Sequence, residues 1–286
     1  MRKAIILFVL LVLSPSLLAA TSVWKVTKGG NTLYLVGTFH LLNASDHPLP
    51  TAFETAYKEA DKLVFEIDVT EAEKPEYQVK VMQAMVAKDG RSLQNQLKPE
   101  TYKKLGDFMA SRQLPISMFN SYTAGAVTMV IAVQEYMRMG MTPEQGVESH
   151  FARKAAADKK PLGELETIED QLAFIAELGK GQEDELVLYT LSEMDKIESL
   201  TREMKRIWRE GDLTTMDSLI LKDLRDKFPA AHKSIVVERN NDWLPQIEAM
   251  LKDKAVEAVM VGALHLAGKE GLIHMLKAKG YAITQM

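Results

Sequence analysis

Residues 33–40 have the sequence LYLVGTFH, in which an apolar run of β-forming side chains ends at Gly37 and is followed three residues later by His40. This pattern predicts a buried strand that delivers a polar side chain at its carboxyl end. A similar stretch, AVMVGALH, occupies residues 258–265, and the two share Val-Gly-x-x-His-Leu. Two buried strands that each end in Gly-x-x-His suggest two halves of one site.

The first twenty residues resemble an export signal. Basic residues precede an apolar run at residues 4–13, and small residues follow up to Ala20. These are the three parts of a secretory signal. The run is shorter than the roughly 20 residues that a membrane span requires. We therefore expect cleavage after Ala20, a mature domain over residues 21–286, and a periplasmic or secreted protein with no stable membrane insertion.

Composition narrows the possible chemistry. Removing the two basic residues of the signal from the 35 in the chain leaves 33 against 39 acidic residues, a formal charge of −6. Without a basic tail or arginine cluster, nucleic acid is disfavoured as a partner.

Cysteine is absent, so any metal ligand must be imidazole, carboxylate, amide or water. The zincin, α/β-hydrolase and nucleotide-loop signatures are also missing, which disfavours those enzyme classes.

Hydrophobic patterning predicts an α/β fold with a central mixed, largely parallel sheet, built from two βαβ-like halves with a right-handed crossover in each. Their elements lie at residues 32–37, 50–60 and 62–69 in the first half, and 255–262, 266–279 and 281–285 in the second. Residues 23–26 form a hairpin with the first of these strands. A large helical insertion is expected at about residues 70–160 and 167–252, including one long helix at 183–211, with a short strand at 161–166.

In parallel sheets the site lies beyond the carboxyl ends of the strands. His40 follows the first strand, while Glu66 and Asp68 lie near the end of the second. A carboxylate within Leu-Val-Phe-Glu-Ile is costly to bury unless it is paired or binds a metal. Alternation along the strand would place Glu66 and Asp68 on one face. Neutral imidazole is both a good metal ligand and a general base, so the pattern allows either chemistry.

Other polar residues are less distinctive. Arg239 and Asn240 follow the apolar residues 235–237, where arginine could orient carboxylates or stabilise an oxyanion and asparagine could bind through its amide. Alone, such a group is more typical of a solvated helix face. A surface position is favoured for three further candidates, namely Glu148, His150 and Glu164.

Five motifs in order resemble the TraB/GumN-like family, from about Trp24 to the C-terminus. They are LVGTFH at 35–40, FEID at 65–68, LET at 165–167, ERN at 238–240 and VGALHL at 261–266. The family is related to the TIKI metalloproteases of animals. Its wider superfamily includes erythromycin esterase-like and haem-uptake-associated proteins, so chemistry varies within the fold.

The resemblance implies a metal-dependent hydrolase, in the first instance a peptidase acting on a peptide or protein. A divalent ion such as Mn, Co or Zn would be held by His40, His265 and Glu66, and Glu66 would accept a proton from the attacking water. Two alternatives remain open. One is a non-catalytic ligand- or peptide-binding protein that uses the same pocket, and the other is a metal-independent, esterase-like hydrolase.

The resemblance also places three further residues in the site. Arg239 and Asn240 fall on the family's Arg-Asn motif, and Glu166 falls on its Leu-Glu-Thr motif. Relatives commonly carry Gly-x-Asp where this chain has Gly146-Val147-Glu148. The carboxylate is kept with one more methylene, so the role of Glu148 stays open, as does that of Asp68.

Overall fold

The computed structural model describes residues 20–72 and 74–286. The predicted export signal at residues 1–20 therefore lies outside the described residues, apart from Ala20. The described part contains six strands: β1 Val23–Lys28, β2 Asn31–Thr38, β3 Lys62–Phe65, β4 Leu162–Glu164, β5 Glu257–Gly262 and β6 Ala282–Gln285. They form one sheet in the order β4-β3-β5-β2-β1-β6.

The strands that lead to the site are parallel. β4 pairs with β3, β3 with β5, and β5 with β2 in parallel, whereas β1 is antiparallel to both β2 and β6. The fold is thus α/β with a mixed, mostly parallel sheet, which confirms the predicted class. Because parallel strands share one direction, the carboxyl ends of β2, β3 and β5 lie at the same edge.

The predicted hairpin joins β1 to β2. Its turn contains Gly29 and Gly30, with φ angles of 59° and 84°. Two successive positive φ angles are the geometry of a type I′ turn, whose twist matches that of the flanking strands. Glycine adopts this backbone without the steric penalty of a Cβ atom.

The described residues also form fifteen α-helices, and most of them lie where the patterning predicts helix. They are α1 Thr51–Glu59, α2 Val69–Ala72, α3 Pro75–Met85, α4 Leu93–Gln96, α5 Pro99–Ser111, α6 Ala124–Arg138, α7 Val147–Asp158, α8 Ile168–Glu177, α9 Glu183–Met194, α10 Ile197–Glu210, α11 Leu213–Met216, α12 Lys222–Lys227, α13 Pro229–His232, α14 Arg239–Met250 and α15 Leu272–Ala278. Two π-helical segments, Asp217–Leu221 and Lys233–Glu238, connect α11 to α12 and α13 to α14. No helix in residues 20–72 and 74–286 is both long and apolar enough to span a membrane.

The strand order differs from two simple βαβ units. β5 lies between β2 and β3, so the two strands of the first predicted unit are parallel but are not neighbours. The last strand, β6, pairs with β1 at the sheet edge instead of with β5. Strand order depends on which distant segments pack together, and the local pattern of each unit does not contain that information.

The long helix predicted at residues 183–211 is two helices, α9 and α10. Val187 and Met194 of α9 pack into a core beneath α5 and α6, whereas Ile207 and Trp208 of α10 pack against the sheet. Ile197, at the start of α10, still belongs to the first of these cores, so α10 extends from one core to the other. Trp208 is fully buried and donates its indole N–H to the carbonyl oxygen of Gly37 at 2.8 Å. It thereby ties α10 to the end of β2.

Helices cover both faces of the sheet. In β2, Tyr34 and Val36 belong to one buried cluster, while Leu33 and Leu35 belong to another on the opposite face. This division is what a near-continuous apolar strand predicts. Burying each large side chain of this kind contributes about 1.5–3 kcal/mol. The polar residues at the strand ends are therefore positioned by a rigid support.

Candidate functional site

The two Gly-x-x-His motifs lie side by side. β2 and β5 are neighbours, with Thr38 paired to Gly262 in the parallel register. His40 follows β2, and His265 sits in a short 3-10 helix, Ala263–Leu266, that begins where β5 ends. An ideal Cβ built on Gly262 would lie 3.4 Å from His40 Nε2 and 3.7 Å from His265 Cδ2. Both imidazoles therefore border the same small space.

Glu66 enters this space from the end of β3. Its Oε1 accepts a hydrogen bond from the Gly262 N–H at 2.6 Å, and its Oε2 accepts one from Arg239 Nη2 at 2.5 Å. The residue is 7% exposed. A carboxylate so far from water needs such donors to offset its lost hydration.

Arg239 links two buried carboxylates. It is the first residue of α14, directly after the second π-helical segment. Its Nε and Nη2 donate to the two oxygens of Glu166 at 2.9 and 2.6 Å, a forked pair that fixes the guanidinium plane. The guanidinium lies 4.5 Å from the centroid of the Trp243 ring. Arg239, Glu66 and Glu166 form one ionic group, in which a single cation pairs with two carboxylates.

Asn240 fixes the tautomer of His265. Its Nδ2 donates to the backbone oxygens of His265 at 3.0 Å and Glu270 at 2.7 Å. The amide oxygen is therefore the atom that faces His265 Nδ1, at 2.8 Å, and it accepts the Nδ1 proton. The other ring nitrogen, Nε2, then accepts from Arg239 Nη1 at 3.1 Å. Trp243 packs on the ring with centroids 4.5 Å apart.

Burial and neighbouring charge set the protonation states of these groups. Burial alone would raise the pKa of Glu66, but the Arg239 guanidinium and the two imidazoles outweigh it and lower the pKa to about 2. Burial lowers the pKa of His265 to about 3. Burial also raises the pKa of Glu166 above its ordinary value, despite the pairing with Arg239. Near neutral pH, Glu66 is an anion and His265 is neutral.

His40 has a separate partner on the outer side of this network. Glu148, in the first turn of α7, places Oε1 2.7 Å from His40 Nδ1. The charge of Glu148 raises the pKa of His40 to about 9, against the opposing effect of partial desolvation by the surrounding protein atoms. The His40 side chain is 60% exposed and that of Glu148 is 17% exposed, so water screens this pair more than it screens the Arg239 network.

Gly146 allows α7 to begin next to His40. A Cβ at this position would lie 2.1 Å from the carbonyl oxygen of His40. The adjacent Val147 N–H donates to the carbonyl oxygen of Phe39 at 3.2 Å. Glycine therefore permits the close approach that brings the Glu148 carboxylate within reach of the ring.

Asp68 does not share the position of Glu66. β3 ends at Phe65, so the strand alternation that would align the two carboxylates does not continue. Asp68 Oδ1 instead accepts from the backbone N–H of Thr70 at 2.8 Å and from its hydroxyl at 2.7 Å. Those bonds satisfy donors at the start of α2.

Of the residues for which a surface position was favoured, Glu148 is the one that reaches the site. His150, two residues further on, faces Glu54 with 3.7 Å between Nε2 and Oε1, and Glu164 is exposed at the end of β4. The sequence signal that could have identified Glu148 was the Gly-x-acid match at residues 146–148. The predicted residues that the structure brings together are His40, Glu66, Glu166, Arg239, Asn240 and His265.

Comparison with known proteins agrees with this arrangement of motifs. A family model described as the TraB/PrgY/gumN family matches residues 22–285. The chain belongs to the TraB/PrgY/gumN family. Proteins named YbaP from Escherichia coli (strain K12) and Shigella flexneri are each 25% identical to it over 250 residues, which cover 87% of this chain and 89% of each relative. No solved structure matches the chain.

The site of this TraB-family chain does not fit a metal held by His40, His265 and Glu66. Both oxygens of Glu66 accept N–H groups, and His265 Nε2 accepts from Arg239. A cation between these ligands would have to displace the guanidinium, which carries the same sign of charge. Within residues 20–72 and 74–286, no three His, Asp or Glu side chains are arranged to hold a metal ion.

Two cavities meet at His40 and Glu66. The polar cleft, of about 680 Å³, is lined on its outer side by Tyr77, Gln78, Glu144, Arg153 and Gln171. The apolar cavity, of about 300 Å³, is lined by Phe39, Trp208, Ile220, Leu224, Ile235 and Leu264, and ends at His40, Glu66, Arg239 and His265. A ligand that spans both would place its middle beside the His40 ring.

Proposed function

We propose that this TraB-family chain is a hydrolase that adds water to the carbonyl group of an ester or a peptide without a resident metal. The observation that carries the proposal is the 2.7 Å pair of His40 Nδ1 and Glu148 Oε1, located where the polar cleft and the apolar cavity meet. The pair supplies a proton carrier beside a space large enough for a substrate.

His40 is the proton carrier in this reaction. The Glu148 carboxylate, at ion-pair distance from Nδ1, favours the proton on that nitrogen, so the neutral ring accepts a proton at Nε2, and the same carboxylate stabilises the resulting imidazolium. Water loses a proton to Nε2 as its oxygen attacks the carbonyl carbon, and the carbonyl oxygen becomes an oxyanion. When the C–O or C–N bond breaks, the imidazolium returns the proton to the leaving group.

The raised pKa of His40 sets the pH at which this reaction runs. With a pKa of about 9, most His40 rings are protonated near neutral pH and cannot accept the proton. The value of kcat/KM therefore rises with pH until His40 is deprotonated. A substrate that desolvates the pair changes this midpoint, so the profile of the free protein is read from kcat/KM.

Arg239 is the electrostatic partner of the oxyanion. Four of its five N–H bonds point to Glu66, Glu166 and His265, which leaves one Nη1 hydrogen without a partner among the described residues. A donor held this firmly needs little reorganisation when charge develops on the substrate.

Glu66 has a supporting role in this proposal instead of the predicted proton-accepting one. Both of its oxygens already accept hydrogen bonds, and its pKa of about 2 makes it a weak base near neutral pH. It anchors Arg239 and contributes negative charge beside His40. Removing it would disturb the position of the guanidinium before it affected any proton transfer.

A second candidate is a ligand- or peptide-binding protein without turnover. The closed hydrogen-bond network around Arg239 favours it, because a rigid polar floor at the end of an apolar cavity is also what a binding site requires. A peptide or protein as the occupant is suggested by the family resemblance alone. Measuring turnover separates the two candidates.

The test compares hydrolysis of an ester and peptide panel by wild type and by His40→Gln, before and after dialysis against a chelator. We expect activity that survives chelation and falls by about a hundredfold or more in the variant, the usual range for loss of a general base. His274→Gln is the matched control, because His274 is exposed on α15. Binding without turnover by wild type would favour the second candidate.

We further propose that the mature protein acts outside the cytoplasm. Support comes from the sequence of the first twenty residues and from Thr21, whose backbone N–H donates to the carbonyl oxygen of Met286 at 2.7 Å. Cleavage after Ala20 would thus leave a chain that joins the fold from its first residue. N-terminal sequencing of the protein from a periplasmic fraction should begin at Thr21, and retention of Met1 would contradict export by cleavage.

A further inference from the structure

We infer that the apolar cavity is an acyl-chain subsite, so that the substrate of this chain carries a medium-length aliphatic group whose carbonyl lies beside His40. The inference rests on the proposed function and names its substrate class. Its basis is that the charged and the apolar lining residues occupy different parts of one cavity of about 300 Å³.

The imidazoles and the charged side chains of the apolar cavity lie at one end. Among the described residues that line it, these are His40, Glu66, Arg239 and His265, while the remaining walls are mainly aliphatic and aromatic and include the phenol of Tyr136. A chain with a polar carbonyl at one end and methylene groups along the rest matches this division. Burying a charged or strongly hydrated group along the walls would leave it with few hydrogen-bond partners.

Both π-helical segments form part of the wall. Ile220 belongs to Asp217–Leu221, and Ile235 belongs to Lys233–Glu238, which ends immediately before Arg239. π-Helical turns are rare and occur often at functional sites, since the widened turn displaces side chains from the regular helical position. Because two such segments contribute to the wall of one cavity, the shape of this cavity depends on departures from regular α-helix geometry.

The walls also contain apolar side chains that are only partly buried. Ile220, Leu224 and Ile235 pack against the main core but retain accessible surface. An aliphatic chain in the cavity would cover that surface, and each buried methylene contributes favourably to binding. The cavity volume is at the lower end of the range for ligand pockets, which suits a single unbranched chain.

The test measures kcat/KM for the p-nitrophenyl esters of acetate, butyrate and octanoate. We expect octanoate to exceed acetate by at least about tenfold, since each buried methylene adds to transition-state binding. Leu224→Trp should fill the cavity and remove most of that preference, so that the ratio of the octanoate to the acetate kcat/KM falls toward one. Leu188→Trp, at an exposed leucine of α9, is the matched control and should keep the wild-type preference.

Binding of octanamide and acetamide to His40→Ala, measured by calorimetry, tests the subsite independently of turnover. Octanamide should bind and acetamide should not, and Leu224→Trp in the same background should abolish binding. If no ester is hydrolysed but octanamide still binds in this way, the catalytic proposal fails and the chain subsite stands. If esters are hydrolysed with no chain-length preference and octanamide does not bind, catalysis stands and the subsite is overturned.

Discussion

His40 Nδ1 lies 2.7 Å from Glu148 Oε1, across the gap between the end of β2 and the first turn of α7. The contact joins a strand end to a helix that follows it by more than a hundred residues. Because of this contact, the two histidines of the site favour different protonation states. Glu148 favours the protonated form of His40, whereas burial and Arg239 favour the neutral form of His265.

Replacing Glu148 with glutamine should lower the pKa of His40 from about 9 toward its ordinary value of 6.5, because the charge that stabilises imidazolium is removed. The measurement is an NMR titration of the ring protons. The midpoint of the kcat/KM profile should move in the same direction. Glu144→Gln, at an exposed glutamate near the same helix start, should leave the His40 midpoint in place.

The same pair predicts a pH dependence of stability. Because the folded-state pKa of His40 is raised, its contribution is fully present below about 6.5 and is lost as pH rises through about 9. Wild type should therefore lose more stability than Glu148→Gln across this interval, measured by urea denaturation at several pH values. Parallel curves for the two proteins would show that the pair contributes nothing to folding.

Arg239→Met should be strongly destabilising, because it leaves Glu66 and Glu166 buried without their shared cation. Breaking a buried ionic group of this kind costs about 3–5 kcal/mol. If this variant does not fold, Arg239→Lys tests the same point, since lysine keeps the charge but cannot form the forked pair. Arg206→Met, which removes exposed pairs with Glu203 and Glu210, should change stability little.

Acid should destabilise the protein through two buried groups. The pKa of His265 is lowered to about 3 and that of Glu66 to about 2, so the unfolded chain binds more protons than the folded one as pH falls below 6.5 for histidine and 4.5 for glutamate. His265→Gln should flatten the upper part of this loss, between pH 6.5 and about 4.5. Denaturation midpoints across that range test the prediction, and an unchanged slope would contradict it.

Gly262→Ala should impair the site more than the fold. The added Cβ would lie 3.3 Å from Glu66 Oε1 and 3.4 Å from His40 Nε2, and the exposed imidazole is the group that can move away. We expect a near-normal melting temperature with reduced hydrolysis and an altered His40 titration. Gly146→Ala provides the contrast, because its Cβ would meet the His40 carbonyl oxygen at 2.1 Å and should destabilise the chain.

The proximity of the two Gly-x-x-His motifs could be predicted from sequence, whereas the position of Glu148 beside His40 could not. Buried strands that end in Gly-x-x-His share an edge if they are parallel, and the pairing of Thr38 with Gly262 realises that expectation. Glu148 is brought in by α7 from a distant part of the chain. No periodicity within residues 144–159 specifies what that helix packs against.

The local prediction for Asp68 failed for a different reason, and the predicted metal ligands make contacts that the sequence does not reveal. Strand alternation placed Asp68 beside Glu66, but β3 ends at Phe65 and Asp68 binds the start of α2 instead. The predicted metal site was based on residue types that can bind a metal. In the structure, Arg239 donates hydrogen bonds to two of those residues, His265 and Glu66. Residue type gives the possible ligands, and only tertiary contacts show which lone pairs remain free.

Hydrolysis of p-nitrophenyl octanoate from pH 6 to 10, by chelator-treated wild type and His40→Gln, most directly tests His40 as a metal-independent base. We predict that treated wild type keeps its activity, with kcat/KM rising through the His40 pKa of about 9 toward a plateau above it, and that His40→Gln loses about a hundredfold or more. Activity that is lost on chelation and restored by manganese, cobalt or zinc, or that is unaffected by His40→Gln, would contradict it.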